Sequence, residues 1–257
     1  MPFSMAFQPI VNVATGRVYA YEALIRGVHG ESAYSVLSQV TEQNRYAFDQ
    51  SCRVKAISVA SQLRLQDTGA LLSINFLPGA VYSPAACIQL TLKTAEECHF
   101  PAERMIFEFT EGEKVDNPNH LAAIAKEYHR HGFRVAIDDF GAGYANLNLL
   151  ADLPINVLKM DMELIRNLHL RPKAYAMVRA FCKLCADFGI ELVAEGVETV
   201  EEYQAVRDCG VYLIQGYLLA KPAFEQLPPF HLPPTSGLAA HPLLPAGLGG
   251  GAPFRIV

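Results

Sequence analysis

Short runs of apolar and β-branched residues recur along most of the chain and predict β-strands. Eight runs fit this description: Phe7–Val11, Tyr19–Ile25, Leu71–Phe76, Met105–Thr110, Val135–Asp139, Val157–Asp161, Leu192–Glu195 and Leu213–Gly216. Most are separated by segments whose apolar residues repeat at the helical period: Phe48–Leu65, Pro84–Cys98, His120–Gly132, Ala174–Gly189 and Val200–Gly210. The pattern therefore alternates strand and helix.

This alternation predicts an α/β fold, a (β/α)8 TIM-like barrel, for which about 250 residues is a typical length. The first two strands are separated only by residues 12–16, which suffice for a hairpin but not for a parallel crossover. We therefore expect one antiparallel strand in the barrel. Residues 1–225 are predicted to form the domain, and the Pro/Gly-rich residues 226–257 a disordered C-terminal tail.

Composition narrows the possible partners and the compartment. The 257 residues are 51% hydrophobic and carry a net charge of -5, so there is no basic field to attract polymeric nucleic acid. Neither a membrane-spanning run nor a signal peptide is recognisable, which predicts a cytoplasmic protein without membrane attachment. The six cysteines are expected to be reduced, and the Cys182/Cys185 pair to pack inside a helix.

Acidic, amide and lysine side chains lie where the predicted strands end. They are Glu22, Asn75, Glu108, Asp138, Asp139, Lys159, Asp161, Glu195 and Gln215. In a barrel these positions converge on the catalytic face, where clustered carboxylates need a cation to offset their repulsion. Hard oxygen ligands suit Mg²⁺ or Mn²⁺, and the Asp138-Asp139 pair would allow one carboxylate to bridge two ions. The residues thus predict a metal-dependent barrel enzyme that acts on phosphate.

Each of these residues also has an ordinary structural explanation. A single Asp or Glu at a strand end is more often a turn residue or a helix cap than a ligand. Asn75 would then cap the following helix, and Lys159 would lie on the surface. The case for function depends on the joint pattern, in which nearly every strand ends on a polar residue.

The motifs around these residues resemble those of the EAL-domain cyclic di-GMP phosphodiesterases. The matching segments are Phe7-Gln8-Pro9-Ile10, Glu22-Ala23-Leu24 with Arg26, Asn75, Glu108 with Thr110-Glu111, Asp138-Asp139-Phe140-Gly141, Leu158-Lys159-Met160-Asp161, Ala194-Glu195-Gly196-Val197-Glu198 and Gln215-Gly216-Tyr217. They span about residues 3–222 in the order and spacing of the family.

The resemblance implies a role for each residue. Two Mg²⁺ or Mn²⁺ ions would be held by the ligand set Glu22, Asn75, Glu108, Asp138, Asp139 and Glu195, with Asp138 bridging. Glu22, Lys159 and Glu195 would be catalytic, and Gln8, Arg26 and Gln215 would bind substrate. Glu111 would steady the loop after Asp139, which is associated with dimer contacts. The implied reaction is hydrolysis of cyclic di-GMP to linear pGpG by a homodimer.

Two departures from the family pattern stand out. Ala142 and Ala145-Asn146 replace hydroxyl residues in the loop after Asp139, and Gly27 stands where a tryptophan commonly follows the arginine. The main alternative is a catalytically silent cyclic di-GMP receptor or protein-binding regulator, although such members typically lack a ligand that is present here. An unrelated metal-dependent barrel enzyme is a further alternative, and any regulatory protein partner is unknown.

Overall fold

The computed structural model describes residues 2–110, 118–142 and 147–234. Its strands are β1 Phe3–Asn12, β2 Arg17–Gly27, β3 Leu71–Asn75, β4 Met105–Thr110, β5 Arg134–Phe140, β6 Val157–Met160, β7 Glu191–Ala194, β8 Leu213–Ile214 and β9 Ala223–Phe224. Its helices are α1 Ala33–Leu37, α2 Arg45–Gln62, α3 Pro84–Cys87, α4 Gln89–Glu97, α5 Pro118–Arg130, α6 Leu147–Asp152, α7 Met162–Ile165, α8 Pro172–Phe188 and α9 Val200–Asp208.

The first eight strands close into a barrel, which confirms the predicted fold class. Strands β2 to β8 pair in parallel and in chain order. Strand β1 runs antiparallel to both of its barrel neighbours, β2 and β8, and so closes the ring. The hairpin predicted from residues 12–16 is therefore present. The additional strand β9 pairs with β1 at Ala6 and Phe7, beyond the point where the short β8 ends.

Local sequence signals explain where the long helices begin and end. Helix α8 has Pro172 in its first turn and ends at Gly189, whose φ of 70° is a left-handed conformation that favours glycine. Helix α9 begins with a capping box between Thr199 and Glu202. The predicted helix over residues 84–98 is instead two helices, α3 and α4, which meet at Ile88. Helices α1, α6 and α7 were not predicted because four to six residues are too few to show a helical period.

Apolar side chains fill the barrel interior near the amino-terminal ends of the parallel strands, and we call this cluster the plug. One cluster takes one buried residue from each of the eight barrel strands: Ile10, Ala20, Leu71, Ile106, Ala136, Val157, Val193 and Leu213. Tyr19 packs below the cluster, where its hydroxyl donates to Glu191. Because side chains of a strand alternate between its two faces, the residue two positions further along each strand also points inward. The plug thus supports a second inward-facing layer at the opposite end of the barrel.

The C-terminal described residues cover the outer side of the β1–β2 hairpin. Glu225 donates from its backbone nitrogen to the Met5 carbonyl at 2.9 Å, and Tyr21 donates to the Pro228 carbonyl at 3.1 Å. Leu227 and Phe230 pack against the main core. The domain boundary at residue 225 and the disordered tail stay predictions, and residues 235–257 lie outside the described part. Within the described residues, no helix is both long and apolar enough to span a membrane.

Gly216 gives a direct test of how tightly the β8 end is packed. A Cβ at residue 216 would lie 2.0 Å from the Val197 carbonyl oxygen and 2.4 Å from its nitrogen, and backbone atoms cannot yield as a side chain can. We expect Gly216→Ala to cost about 3 kcal/mol of unfolding free energy. Thermal denaturation should show a fall in Tm of roughly 6–12 °C for a domain of this size.

The matched control is Gly79→Ala, whose Cβ would meet only the Arg45 side chain, at 3.4 Å. This variant should melt within experimental error of the unmodified chain. Equal Tm values for the two variants would contradict the packing at Val197.

Candidate active site at the carboxyl ends of the strands

A second inward-facing layer lies directly above the apolar plug and is polar in every member. It consists of Gln8, Glu22, Ser73, Glu108, Asp138, Lys159, Glu195 and Gln215, each two positions from the plug residue of its own strand and toward the catalytic end. All of them are buried except Glu195, which is partly exposed. The barrel therefore brings together in this layer, from distant parts of the chain, six of the nine side chains that the sequence pattern singled out.

Lys159 is at the centre of this layer. Its Nζ lies 2.8 Å from Glu108 Oε2, 2.8 Å from Asp138 Oδ1, 2.8 Å from Glu195 Oε1 and 3.3 Å from Glu22 Oε2. The lysine side chain is fully buried, so it is not the surface residue of the alternative explanation. One ammonium group cannot offset four carboxylates, so the fully ionised site would have an excess of negative charge.

Amide and hydroxyl groups hold the carboxylates in place. Asn75 Nδ2 donates to Glu22 Oε1 at 2.9 Å, and Gln215 Nε2 donates to Glu22 Oε2 at 2.8 Å. Ser73 donates to Glu108 Oε1, a contact that the sequence analysis missed. A serine inside an apolar strand is unremarkable on its own, but its position two residues before Asn75 places it on the same inward face.

The electrostatics of the site follow from burial and like charge. Burial, followed by repulsion from Glu22 and Asp138, raises the pKa of Glu108 to about 8 against the attraction of Lys159. Burial also raises the pKa of Glu195 well above its usual value. Burial alone would lower the pKa of Lys159, but the surrounding carboxylates outweigh it and raise this pKa well above its usual value. These shifts mark a site that attracts further positive charge.

The acidic side chains form two groups that share Asp138. Glu22, Glu108 and Asp138 offer oxygen atoms within 4.8 Å of one another, and so do Asp138, Asp139 and Glu195. Three carboxylate oxygens at this separation fit a hard divalent cation. Each group could hold one cation, and Asp138 belongs to both groups.

A bulge in β5 explains how adjacent residues both reach the site. In the register with β6, Ile137 pairs with Leu158 and Phe140 with Met160, so two residues of β5 oppose the single residue Lys159. Neighbouring strand residues normally point to opposite faces, and the extra residue removes that restriction. Asp139 takes a left-handed φ of 54°, and its pKa is raised to about 6 by burial and by the nearby Asp138 charge.

The turn after Asp139 closes through the backbone, since Ala142 donates from its nitrogen to the Asp139 carbonyl at 3.1 Å. This bond needs no hydroxyl at residue 142. Ala145 and Asn146 lie outside the described residues, as does Glu111, whose loop-stabilising role stays a prediction.

The predicted substrate-binding residues fall into two neighbouring cavities. Gln8 and Gln215 line an open cavity of about 250 Å³ together with Glu22, Asp139 and Glu195. Arg26 instead lines a mainly apolar cavity of about 290 Å³ between the barrel and helices α1 and α2, and its Nη1 donates to the Ile25 carbonyl at 2.7 Å. Asn75 also lines the apolar cavity while its amide contacts Glu22. The geometry thus joins Gln8 and Gln215 to the acidic site and sets Arg26 at its side.

Gly27 lies close to a side chain of the turn that follows β2. Glu31 folds back so that its Oε2 accepts from the His29 nitrogen at 2.9 Å, and a Cβ at residue 27 would lie only 2.2 Å from that oxygen. A side chain larger than hydrogen therefore requires Glu31 to move. Because Glu31 is exposed and flexible, this contact alone does not require glycine at residue 27.

Comparison with known proteins agrees with the geometry. Residues 2–222 match the family model described as EAL domain. The chain belongs to the EAL domain family. A standalone EAL protein of Vibrio cholerae, solved with c-di-GMP bound, is 51% identical to this EAL domain with a TM-score of 0.85, over 89% of this chain and 95% of that one. A manganese/cy-diGMP complex of Klebsiella pneumoniae BlrP1 has 34% identity and a TM-score of 0.82, over 88% and 57% of the two chains.

Curated relatives of this EAL domain include proteins that are named for different roles. The blue light- and temperature-regulated antirepressor BluF of Escherichia coli is 31% identical over 87% of this chain and 55% of its own length. A cyclic di-GMP phosphodiesterase of Pseudomonas aeruginosa is 28% identical over 88% of this chain and 39% of its own length. The chain thus spans about half or less of the length of these curated relatives.

Substitution of Lys159 should show how far the stability of the EAL site depends on its one central positive charge. In Lys159→Met, four buried carboxylates lose their shared counter-charge. We expect the metal-free variant to lose roughly 3–5 kcal/mol of stability, the cost of leaving one side of a buried ion pair unpaired. Added Mn²⁺ should raise the Tm of this variant more than that of the wild type, as measured by differential scanning fluorimetry.

Lys93→Met serves as the control, because Lys93 forms an exposed pair with Glu97 at 3.8 Å. It should leave both the Tm and its response to Mn²⁺ unchanged. A metal-free Lys159→Met protein as stable as the wild type would contradict the placement of Lys159.

Proposed function

We propose that this EAL domain is a metal-dependent phosphodiesterase that hydrolyses cyclic di-GMP to linear pGpG, with two Mg²⁺ or Mn²⁺ ions as cofactors. The observation that carries the proposal is the pair of acidic groups that share Asp138 around Lys159. A two-cation site of this kind serves phosphoryl displacement, because it can stabilise both the attacking and the leaving oxygen. The domain would lower the level of the second messenger.

The cations have a defined set of candidate ligands. Glu22, Asn75, Glu108 and Asp138 would hold the first, and Asp138, Asp139 and Glu195 the second. When bound, the ions offset the negative charge of the phosphodiester and acidify a water molecule. The carboxylates fit this task because they outnumber the one lysine that faces them.

The remaining side chains would orient the reactants. Lys159, as a hydrogen-bond donor at the centre of the layer, would hold the attacking water in line with the phosphorus. Gln8 and Gln215, which line the open cavity, would contact the substrate, and Arg26 offers a planar fork to a phosphate oxygen or a base. Addition of water to one phosphorus atom with cleavage of one P–O ester bond opens the ring. The product is a linear dinucleotide with one terminal phosphate.

The solved relatives support the ligand and the kind of cofactor. The Vibrio cholerae protein was solved with c-di-GMP bound, and BlrP1 with cy-diGMP and either manganese or calcium. The phosphodiesterase of Pseudomonas aeruginosa supports the activity by its name. Assembly as a homodimer, which the family resemblance implies, belongs to this proposal as well.

The second candidate function is that of a silent cyclic di-GMP receptor or protein-binding regulator. It is favoured by the relative BluF, which is named as an antirepressor, and by a BlrP1 structure with cyclic diGMP and no metal ions. The complete carboxylate set of this chain favours the enzyme, because a receptor has no need for two groups that share Asp138.

Incubation with substrate separates the two functions. Purified protein is mixed with cyclic di-GMP in Mg²⁺, in Mn²⁺ or in EDTA, and the products are followed by chromatography. We expect pGpG to form with either metal and to be absent with EDTA. Binding of cyclic di-GMP by calorimetry without any turnover would overturn the enzyme proposal in favour of the receptor.

Glu22→Gln tests the metal site with little change in shape. Even the loss of a group that supports a metal ligand costs about 10- to 100-fold in affinity or activity, so loss of a ligand charge should reduce turnover by more than about 100-fold. The control Glu97→Gln alters an exposed glutamate on α4 and should keep full activity. Turnover by Glu22→Gln at the wild-type rate would remove Glu22 from the ligand set.

A further inference from the structure

A fully buried ion pair lies just behind the metal-ligand candidate Asn75. Arg53 Nη2 contacts Asp49 Oδ2 at 2.8 Å, one turn apart on α2, and the two side chains are 0% and 1% exposed. Arg53 Nη1 donates to the Tyr128 hydroxyl at 2.6 Å, and its guanidinium lies 5.2 Å from the Phe76 ring centre and 5.3 Å from that of Phe107. Burial of a charged pair is costly and seldom improves stability over apolar residues, so the pair calls for another explanation.

The carboxylate oxygen of Asp49 that does not contact Arg53 holds the chain just after β3. Asp49 Oδ1 accepts from the Leu77 nitrogen at 2.8 Å, two residues beyond Asn75, where β3 has already ended. Phe76, between them, donates from its nitrogen to the Glu108 carbonyl at 2.8 Å. The residues after Asn75 are therefore held from the barrel side by β4 and from the helix side by Asp49.

The hydrogen bond from Leu77 to Asp49 restrains this segment beside a cavity that no side chain fills. Asn75, Leu77 and Asp49 all line the apolar cavity of about 290 Å³. Without a bond to α2, the segment that carries Asn75 has room to shift into this cavity. A shift there would move the Asn75 amide away from Glu22, its partner in the first acidic group.

We propose that Asp49, fixed in place by Arg53, is a positioning residue that holds the Asn75–Leu77 segment so that the Asn75 amide can serve the first metal. This proposal rests on the proposed metal site. Arg53 and Tyr128 act only through Asp49, whose orientation they set. Outer partners of this kind orient metal ligands, and their loss typically weakens metal affinity about 10- to 100-fold.

Two variants separate positioning from stability. Asp49→Asn keeps an oxygen that can accept from the Leu77 nitrogen but leaves Arg53 without a counter-charge, so it should lose stability and keep Mn²⁺ affinity. The triple variant Asp49→Leu/Arg53→Met/Tyr128→Phe replaces the ion pair and its tyrosine partner by apolar side chains. It should keep most of its stability, since no buried charge is left unpaired, and bind Mn²⁺ about 10-fold or more weakly.

Mn²⁺ affinity is measured by calorimetry on folded protein, beside Tm and turnover at saturating metal. The matched control is Asn156→Leu, which removes a side-chain acceptor for the Val135 nitrogen at the opposite end of the barrel. We expect a lower Tm and unchanged Mn²⁺ affinity. The control shows whether loss of a backbone tether alone weakens the metal site.

An Asn75→Ala background provides the decisive comparison. If Asp49 acts through Asn75, the triple variant should cause no further loss of Mn²⁺ affinity once Asn75 is absent. An equal loss with and without Asn75, or wild-type affinity in the triple variant, would overturn the positioning role. Failure of the wild-type chain to bind Mn²⁺ would instead overturn the metal site, and with it both proposals.

Discussion

The contact between Lys159 and four carboxylates is the interaction on which the rest of the site depends. The Nζ atom of Lys159 lies within 3.3 Å of carboxylate oxygens of Glu22, Glu108, Asp138 and Glu195, in a layer that is almost wholly buried. Buried charges of one sign repel strongly, and one lysine relieves only part of that repulsion. The layer is thus both a source of instability and a strong attractor of cations, and these two properties have the same physical origin.

The barrel makes such a layer possible by placing it on an apolar plug. Each of the eight strands contributes one plug residue, and the residue two positions further faces the same interior. The plug supplies hydrophobic stabilisation below, while the open carboxyl ends of the strands leave room for a ligand above. The bulge in β5 then adds Asp139, which regular strand alternation would have turned away. Regular geometry builds most of the site, and one irregularity completes it.

Support from outside the barrel is uneven and concentrates on β3. Gln215 and Glu22 are held by contacts within the barrel layer, whereas the chain after Asn75 borders a cavity and depends on Asp49 from α2. The candidate ligands Glu22 and Glu108 are strand residues that pair with a neighbouring strand on both sides. This contrast gives a physical reason for a tether from α2 at the end of β3.

The sequence by itself determined the strand-helix alternation, the antiparallel β1, the EAL motifs and the convergence of polar strand ends, because these features depend on local periodicity, turn length and residue type. Only the tertiary structure decided which side chains share a layer. It added Ser73, turned Asp139 inward, set Arg26 beside the acidic cavity and joined Asp49 to Leu77. These outcomes depend on strand register and helix packing between residues far apart in the chain, which no local pattern encodes.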